Sequence, residues 1–343
     1  MKGMIERYAY MLRKRYFPYI SFSKNVFLPL TTYCRNKCLY CGFTRKKYIM
    51  TQEQVEKILN EGKKNGAKEA LFTFGEKPDV YDEVQRFLDR EGYADFKEYH
   101  LEMCKVAIEH EMIPHSNPGV MDRKYIRKLK DVNGSLGLML ETTSMKVEKD
   151  AHRLSPGKRA HIRIRCIEDA GKEKVPFTTG ILLGIGESFK DVVESISIIR
   201  DLHRKYGHIQ EVIVQNFIAH KGTPWEKRKE PSFEYMKKVV MVARVMMKEI
   251  SIQVPPNLTK WWELIKIGAN DIGGISDVTI DFINPEHSWQ KIEEIAEIIN
   301  RYGEKLKERL AIYPKFIKMG WYSQNISSLV EEMVDEEGWV VEL

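Results

Sequence analysis

Cys34, Cys38 and Cys41 stand in the run Thr31-Thr32-Tyr33-Cys34-Arg35-Asn36-Lys37-Cys38-Leu39-Tyr40-Cys41, so three of the chain's five cysteines share one short stretch. A structural zinc takes four protein ligands, usually as two close pairs, and no second CxxC or HxxxH accompanies this triplet. Three thiolates therefore imply a coordination position left open. Iron-sulfur clusters are normally held by four thiolates, so three would leave one iron of a [4Fe-4S] cube free for a small molecule. That is a catalytic arrangement rather than a structural one. Two other readings stay open on spacing alone: a zinc site completed by a distant histidine, and a redox pair at Cys38 and Cys41. The redox pair is weakened by Cys34, which belongs to the same tight loop, whereas such pairs usually open a helix. A disulfide framework fits worst, because five is odd, the chain is long and its first residues do not resemble a signal peptide.

Residues that act together must be brought together by the elements that carry them. From about residue 25 to residue 300, short apolar β-rich runs alternate with segments of helical period. Strands are expected at 25–33, 68–74, 112–116, 134–141, 176–183, 211–217, 250–254 and 271–276, and helices at 51–65, 95–111, 122–130, 160–174, 189–206, 232–249, 259–267 and 288–308. Thr51 with Gln54 reads as a capping box, and Ser232 after Pro231 as an N-cap. This alternation predicts an α/β fold, a (β/α)8 TIM-type barrel, with helical extensions at both ends. The 343 residues are expected to form a single domain: a lead-in over 1–21, a core over about 22–310 and a tail over 311–343 that ends in a helix and a strand. Barrels commonly reach ~250 residues or more as one domain, and no linker, low-complexity stretch or short repeat divides the chain.

Reactive groups in such barrels gather where strands end. The triple-Cys loop follows the first expected strand. Other exits carry Phe74-Gly75-Glu76-Lys77-Pro78, His115-Ser116-Asn117-Pro118-Gly119, Glu141-Thr142-Thr143-Ser144, the stretch from Gly180 to Glu187, Gln215-Asn216, Pro255-Pro256-Asn257 and the stretch from Gly273 to Asp277. Each is a weak signal alone, since glycine-rich exits are usually turns and a buried glutamate is often half of an ion pair. Their joint position gives them weight. Cys104 and Cys166 fall in expected helices and read as small core residues.

A content of 43% hydrophobic and 30% charged residues describes a soluble globular chain. No apolar run approaches the ~20 residues of a membrane span, so no membrane partner and a reducing, cytoplasmic location are expected. The net charge of +6 comes from scattered clusters such as Arg13-Lys14-Arg15, Arg45-Lys46-Lys47 and Lys227-Arg228-Lys229. Interleaved acidic stretches and the absence of a nucleic-acid motif make these solvated faces rather than a nucleic-acid surface. The modest basic bias suits an anionic small substrate.

The CxxxCxxC spacing, with aromatic Tyr40 before the last cysteine, resembles the signature of radical S-adenosylmethionine (SAM) enzymes. The resemblance implies that Cys34, Cys38 and Cys41 bind three irons of a [4Fe-4S] cluster and that SAM chelates the fourth. It further implies that Gly75 and Glu76 contact the methionyl amine, although Phe74 stands where the family has a first glycine. The segment from Gly180 to Glu187, Gly184 and Ile185 included, would line adenine through backbone atoms. Glu141 and Arg163 would meet the ribose and carboxylate, with Arg165 second to Arg163.

Within that superfamily, matches at six separate strand ends, among them Pro114 to Met121, Gly137 to Ser144 and Ile209 to Phe217, resemble the CofG-type family of 7,8-didemethyl-8-hydroxy-5-deazariboflavin (FO) synthases. This implies a radical SAM lyase that turns the 4-hydroxybenzyl adduct of 5-amino-6-(D-ribitylamino)uracil into FO, with ring closure and ammonia loss. Such an enzyme needs a small-molecule substrate and an electron donor of ferredoxin or flavodoxin type, and the carbon-carbon bond-forming half of FO synthase is a further candidate partner. Ser116, Asn117, Gln215, Asn216, Asn257, Asp271, Asp277 and Asp281 are the expected substrate contacts, and His115 and Tyr33 the candidates for moving protons during ammonia loss. That carbon-carbon bond-forming half and a non-enzymatic iron-sulfur or zinc protein are the competing readings.

Overall fold

The structure, a computed structural model, describes residues 2–341. Nine strands occur among them: β1 (Ile20–Phe27), β2 (Glu69–Thr73), β3 (Ile113–Asn117), β4 (Ser135–Gly137), β5 (Phe177–Leu183), β6 (Ile209–Asn216), β7 (Ser251–Gln253), β8 (Asp271–Ile275) and β9 (Leu306–Glu308). The helices are α1 (Lys2–Tyr16), α2 (Gln52–Lys64), α3 (Asp82–Glu91), α4 (Phe96–Glu109), α5 (Arg123–Lys130), α6 (Met145–Lys149), α7 (Ala160–Lys172), α8 (Phe189–Tyr206), α9 (Phe233–Met246), α10 (Trp261–Ile265), α11 (Ile292–Arg301), α12 (Pro314–Lys318) and α13 (Gln324–Met333). Strands β1 to β8 pair in parallel around a closed ring, sealed by β1 against both β2 and β8, so the expected (β/α)8 barrel is present. The expected caps are present as well: Thr51 and Gln54 form the capping box of α2, and Ser232 caps α9.

Three local expectations differ. The first strand runs from Ile20 to Phe27 rather than over 25–33; Pro29, which has no N–H, cannot extend the ladder, and the chain turns outward there. The helix expected to reach residue 308 stops at Arg301 because Gly303 takes a left-handed conformation (φ 68°), which frees 306–308 to pair as β9 beside β1. Helices α3, α6 and α12 were not anticipated.

The helix-facing sides of the strands are apolar: Val26 meets Gly62 of α2, and Phe72 stands edge-on to His100 of α4. The lumen side is polar, with Ser21, Ser23 and Asn25 alternating along β1 and Glu69, His115, Asn117, Glu211, Gln215, Gln253 and Asp271 on other strands. Barrel interiors are more often filled by branched aliphatic layers. Here Leu71 and Thr73 on β2, Ile213 and Gln215 on β6, Asn117 and Gln253 are only half-buried, so the lumen opens toward the C-terminal ends of the strands. The other end is closed. After β9 the chain crosses beneath the barrel, where Arg309 pairs with Asp271 at 2.7 Å and Glu211 at 3.3 Å, and Leu310 and Ile312 pack against Ile113.

Candidate active site

The loop leaving β1 carries the three half-buried thiols to the open end of the barrel. Neighbouring strand exits hold it by backbone bonds: Gly75 N–H donates to Thr31 O at 2.8 Å, Arg35 N–H to Glu76 O at 2.9 Å, Lys37 N–H to Leu154 O at 3.2 Å and Leu39 N–H to Ala151 O at 3.1 Å. The sulfurs also receive donors, Glu76 N–H to Cys34 Sγ at 3.2 Å and Ser155 Oγ–H to Cys38 Sγ at 3.3 Å. Burial raises the Cys34 thiol pKa and pushes that of Cys41 up to about 12, with the neighbouring thiols adding to the rise. Tyr33 stacks edge-on to Tyr81 under Lys47, and the Tyr81 hydroxyl donates to Cys34 O at 2.7 Å.

Glu76 joins three exits. Its Oε1 accepts from Arg35 Nε at 2.8 Å, its Oε2 accepts from Val120 N at 3.0 Å, and Arg163 Nη2 stands 4.0 Å away. Gly119 and Gly157 crowd the same side chain, since a Cβ on them would lie 2.5 and 1.8 Å from its atoms. Arg163 is buried and donates to Gly157 O at 2.9 Å and to Met139 O, whereas Arg165 is exposed. Glu141, in a left-handed conformation (φ 66°), pairs with Lys158. Burial favours its protonated form, yet Lys158 and then Arg163 outweigh that and hold its pKa below the usual value. Beneath the loop lies an apolar cluster of Leu39, Val147, Leu182, Ile185, Phe217 and Trp225, against which Tyr40 packs while its hydroxyl meets His152 Nε2 at 2.9 Å. Gly184 (φ 92°) turns the chain at the exit of β5, and its N–H donates to Glu187 Oε1 at 2.8 Å.

The expected substrate contacts divide. Asn117, Gln215 and His115 line the lumen. Asn117 Nδ2 donates to His115 Nε2 at 3.2 Å, leaving His115 Nδ1–H for Ser135 Oγ at 2.6 Å, and burial pushes the imidazole pKa down to about 3. Ser116 is a correction: it points outward to α4, taking His100 Nε2–H at 2.9 Å and donating to Asn133 Oδ1 at 2.7 Å. Asn216 likewise faces away from Gln215 and donates to Leu258 O at 3.4 Å. Asp271 lies at the closed end, committed to Arg309 and Ser21. Asp281 is spent on its own loop, accepting from Ile283 N, Asn284 N, Asn284 Nδ2 and Asn257 Nδ2 at 2.9 to 3.0 Å, which engages the Asn257 amide nitrogen and leaves its Oδ1 buried without a partner. Asp277 is exposed. Missed from sequence were Arg35, Ser155 and Lys158, the partners of Glu76, Cys38 and Glu141; the turn signal Ser155-Pro156-Gly157 was the available clue to the last two.

The sequence pattern of the Radical SAM superfamily matches residues 28–199, from the end of β1 through most of α8. The chain belongs to this superfamily. Relatives cover it nearly end to end: a 7,8-didemethyl-8-hydroxy-5-deazariboflavin synthase of Archaeoglobus fulgidus is 49% identical over 325 residues, spanning 93% of this chain and 98% of that one. One of the same name from Methanopyrus kandleri is 44% identical over 331 residues, 93% and 99% of the two chains. Among solved structures, methylornithine synthase superposes with a TM-score of 0.69 at 21% identity, covering 89% of this chain and 90% of that one. HydG, a maturase of the [FeFe]-hydrogenase, does so with a TM-score of 0.75 at 17% identity, covering 95% and 72%. These two share the fold.

Membership implies a [4Fe-4S] cluster and SAM, and the residues present fit both. Cys34, Cys38 and Cys41 lie half-buried on one loop, and the sulfurs of Cys34 and Cys38 already receive N–H and O–H donors, a thiol set of the kind that holds iron-sulfur clusters. No fourth thiol competes, because Cys104 and Cys166 are buried in α4 and α7, where Cys166 Sγ accepts from Met121 N at 3.4 Å. Metal coordination offsets the burial that otherwise keeps the thiols protonated. Glu76 retains unused lone pairs for an ammonium, and Arg163 unused N–H groups for a carboxylate.

Proposed function

We propose that this radical SAM protein is an FO synthase that converts the 4-hydroxybenzyl adduct of 5-amino-6-(D-ribitylamino)uracil into FO by ring closure and loss of ammonia, an ammonia-lyase reaction. The observation that carries this reading is the near full-length likeness to proteins of that name, 49% identical across 93% of the chain. The polar, half-open lumen supports it, since a uracil with a hydroxylated chain needs many matching polar partners.

In this reading Cys34, Cys38 and Cys41 hold the cluster, Glu76 and Arg163 receive the amine and carboxylate of SAM, and Glu141 with the backbone at Gly184 and Ile185 receives its nucleoside. Bound together, cluster and SAM supply a 5'-deoxyadenosyl radical able to take a hydrogen atom from the substrate. The chain's own contribution is placement and isolation. A carbon radical attacks almost any C–H bond, so the walls must fix one hydrogen in reach and exclude water and other groups. Asn117 and Gln215 present carboxamides to the substrate. His115 orients Asn117 rather than carrying a proton, because both ring nitrogens are bonded within the protein and its pKa lies near 3. Tyr33, at the foot of the cluster loop, is the candidate proton carrier. A small reducing protein of ferredoxin or flavodoxin type supplies the electron, and the carbon-carbon bond-forming half of FO synthase supplies the adduct.

The test is anaerobic reconstitution with iron, sulfide, SAM and reductant. The adduct should yield the fluorescent deazaflavin with release of 5'-deoxyadenosine, and Cys34→Ala, Cys38→Ala and Cys41→Ala should each abolish that release. Coupling of free tyrosine to the diaminouracil without turnover of the adduct would identify the other half-reaction instead, and no 5'-deoxyadenosine at all would make the protein a carrier.

A further inference from the structure

The lower lumen holds polar groups that the cluster loop and the expected SAM contacts do not use. Asn25 on β1 is in register with Glu69 on β2, and Ser23 is in register with Gly274 on β8. A Cβ on Gly274 would lie 2.0 Å from Asn25 Nδ2, and one on Gly273 would lie 2.2 Å from Gln253 Nε2. The paired glycines thus let two carboxamides lie across β8, a place that any larger residue would deny them. Beneath, Ser23 Oγ, Asn25 Oδ1 and Glu69 Oε2, in residues 1, 3 and 5% exposed, are buried with no well-formed hydrogen bond, although Ser23 and Asn25 stand close enough to the Glu69 carboxyl to favour its ionised form. The Gln253 amide makes no hydrogen bond among the described residues and is half-buried.

A buried polar atom without a partner costs about 1–3 kcal/mol, so several together below an open cavity form a site that donors would complete. The vacant atoms are chiefly acceptors, and hydroxyl groups are the neutral donors that satisfy them. A cationic ligand fits less well: burial raises the Glu69 pKa, and the Arg309 guanidinium acts on Glu69 from the closed end. The depth also fits. Glu69 lies four residues below Thr73 at the exit of β2, ~13 Å at the usual strand rise, comparable with a pyrimidine ring bearing a five-carbon chain.

We propose that Ser23, Asn25, Glu69 and Gln253 form a polyol subsite that holds the hydroxylated chain of the substrate at the bottom of the lumen, with the ring end directed up toward the cysteine loop. This subsite rests on the reading that the ligand is a ribityl-bearing heterocycle.

The test uses the reconstituted enzyme with SAM bound and two probes, FO itself and its analogue with methyl in place of the ribityl chain, titrated anaerobically by fluorescence. Wild-type protein should bind FO roughly thirtyfold or more tighter than the methyl compound, as several hydroxyl bonds of about 1 kcal/mol each imply. Gln253→Ala and Glu69→Gln should each reduce that ratio about tenfold or less, with affinity for the methyl compound retained. Gln253→Ala removes a side chain with no internal bond, so it keeps the comparison available if Glu69→Gln fails to fold. Equal binding of both probes by the wild type, or equal loss of both in Gln253→Ala, would overturn the subsite while leaving the FO synthase reading standing. Binding of neither probe would overturn that reading as well.

Discussion

Gly75 shows how little room the cysteine loop has. A Cβ there would stand 1.9 Å from Tyr33 O and 2.9 Å from Cys34 Cβ, so backbone, not a flexible side chain, would have to move. Gly75→Ala is therefore expected to cost about 1–3 kcal/mol of stability in urea unfolding, as overpacking usually does. It should also lower 5'-deoxyadenosine release by more than tenfold, whereas a change at exposed Gly3, with nothing within 4 Å, should leave both unaltered. Lys158 makes a second case. Lys158→Met strands the Glu141 carboxylate in a site where both side chains are mostly buried, and removing one partner of such a pair typically costs about 3–5 kcal/mol. Adding Glu141→Gln should recover part of that loss, and unfolding curves of the single and double variants would show it. The gathering of the three cysteines on one loop at a strand exit was legible because it is written in local spacing. Lys158, Ser155 and Arg35 were not, because a sequence does not say which residue 17, 117 or 41 positions away will be the neighbour. Ser116 was misplaced for another reason: it and Asn117 are both polar and adjacent, and only the phase of the strand turns Asn117 to the lumen and Ser116 away from it.

At the scale of elements, alternation of strand and helix was readable because helix-facing positions such as Val26, Phe72 and Val212 are apolar at the expected period. The true start of β1 was hidden, since Ser21, Ser23 and Asn25 face a polar lumen and interrupt the apolar run. Helix α8 begins with a capping box in which Ser188 and Asp191 exchange bonds. Ser188→Ala should cost about 1 kcal/mol, measured as a lower midpoint of thermal unfolding, with the exit of β5 loosened because α8 follows it directly. Helix α1 is fastened by buried Arg13 to Glu304 at 2.6 Å, with Lys14 and Tyr10 on the same carboxylate. These partners overcome burial and hold the Glu304 pKa down at about 2. A folded-state value below the usual 4.5 adds stability above about pH 4.5 that disappears as pH falls toward 2. Acid melts of wild type and Glu304→Gln should diverge at neutral pH and converge near pH 2.

For the whole molecule, the closed end sets a dependence on pH of opposite sign. Arg309 faces both Asp271 and Glu211; it keeps Asp271 ionised, while burial leaves Glu211 raised to about 7. An acid whose folded value exceeds its unfolded one gives its full stabilisation at low pH, and that contribution is lost as pH rises through about 7. Urea unfolding between pH 5.5 and 8.5 should show falling stability in the wild type and a flatter profile in Glu211→Gln. None of this end was visible in the sequence, where 288–308 read as one helix and the tail as an appendage. Only tertiary contact turns β9 and the five residues from Arg309 to Tyr313 into a base for the barrel. That base has a kinetic meaning. A vessel with a single opening fills and empties in order, so a molecule seated deep must arrive before anything settles over the rim and must wait for it to depart.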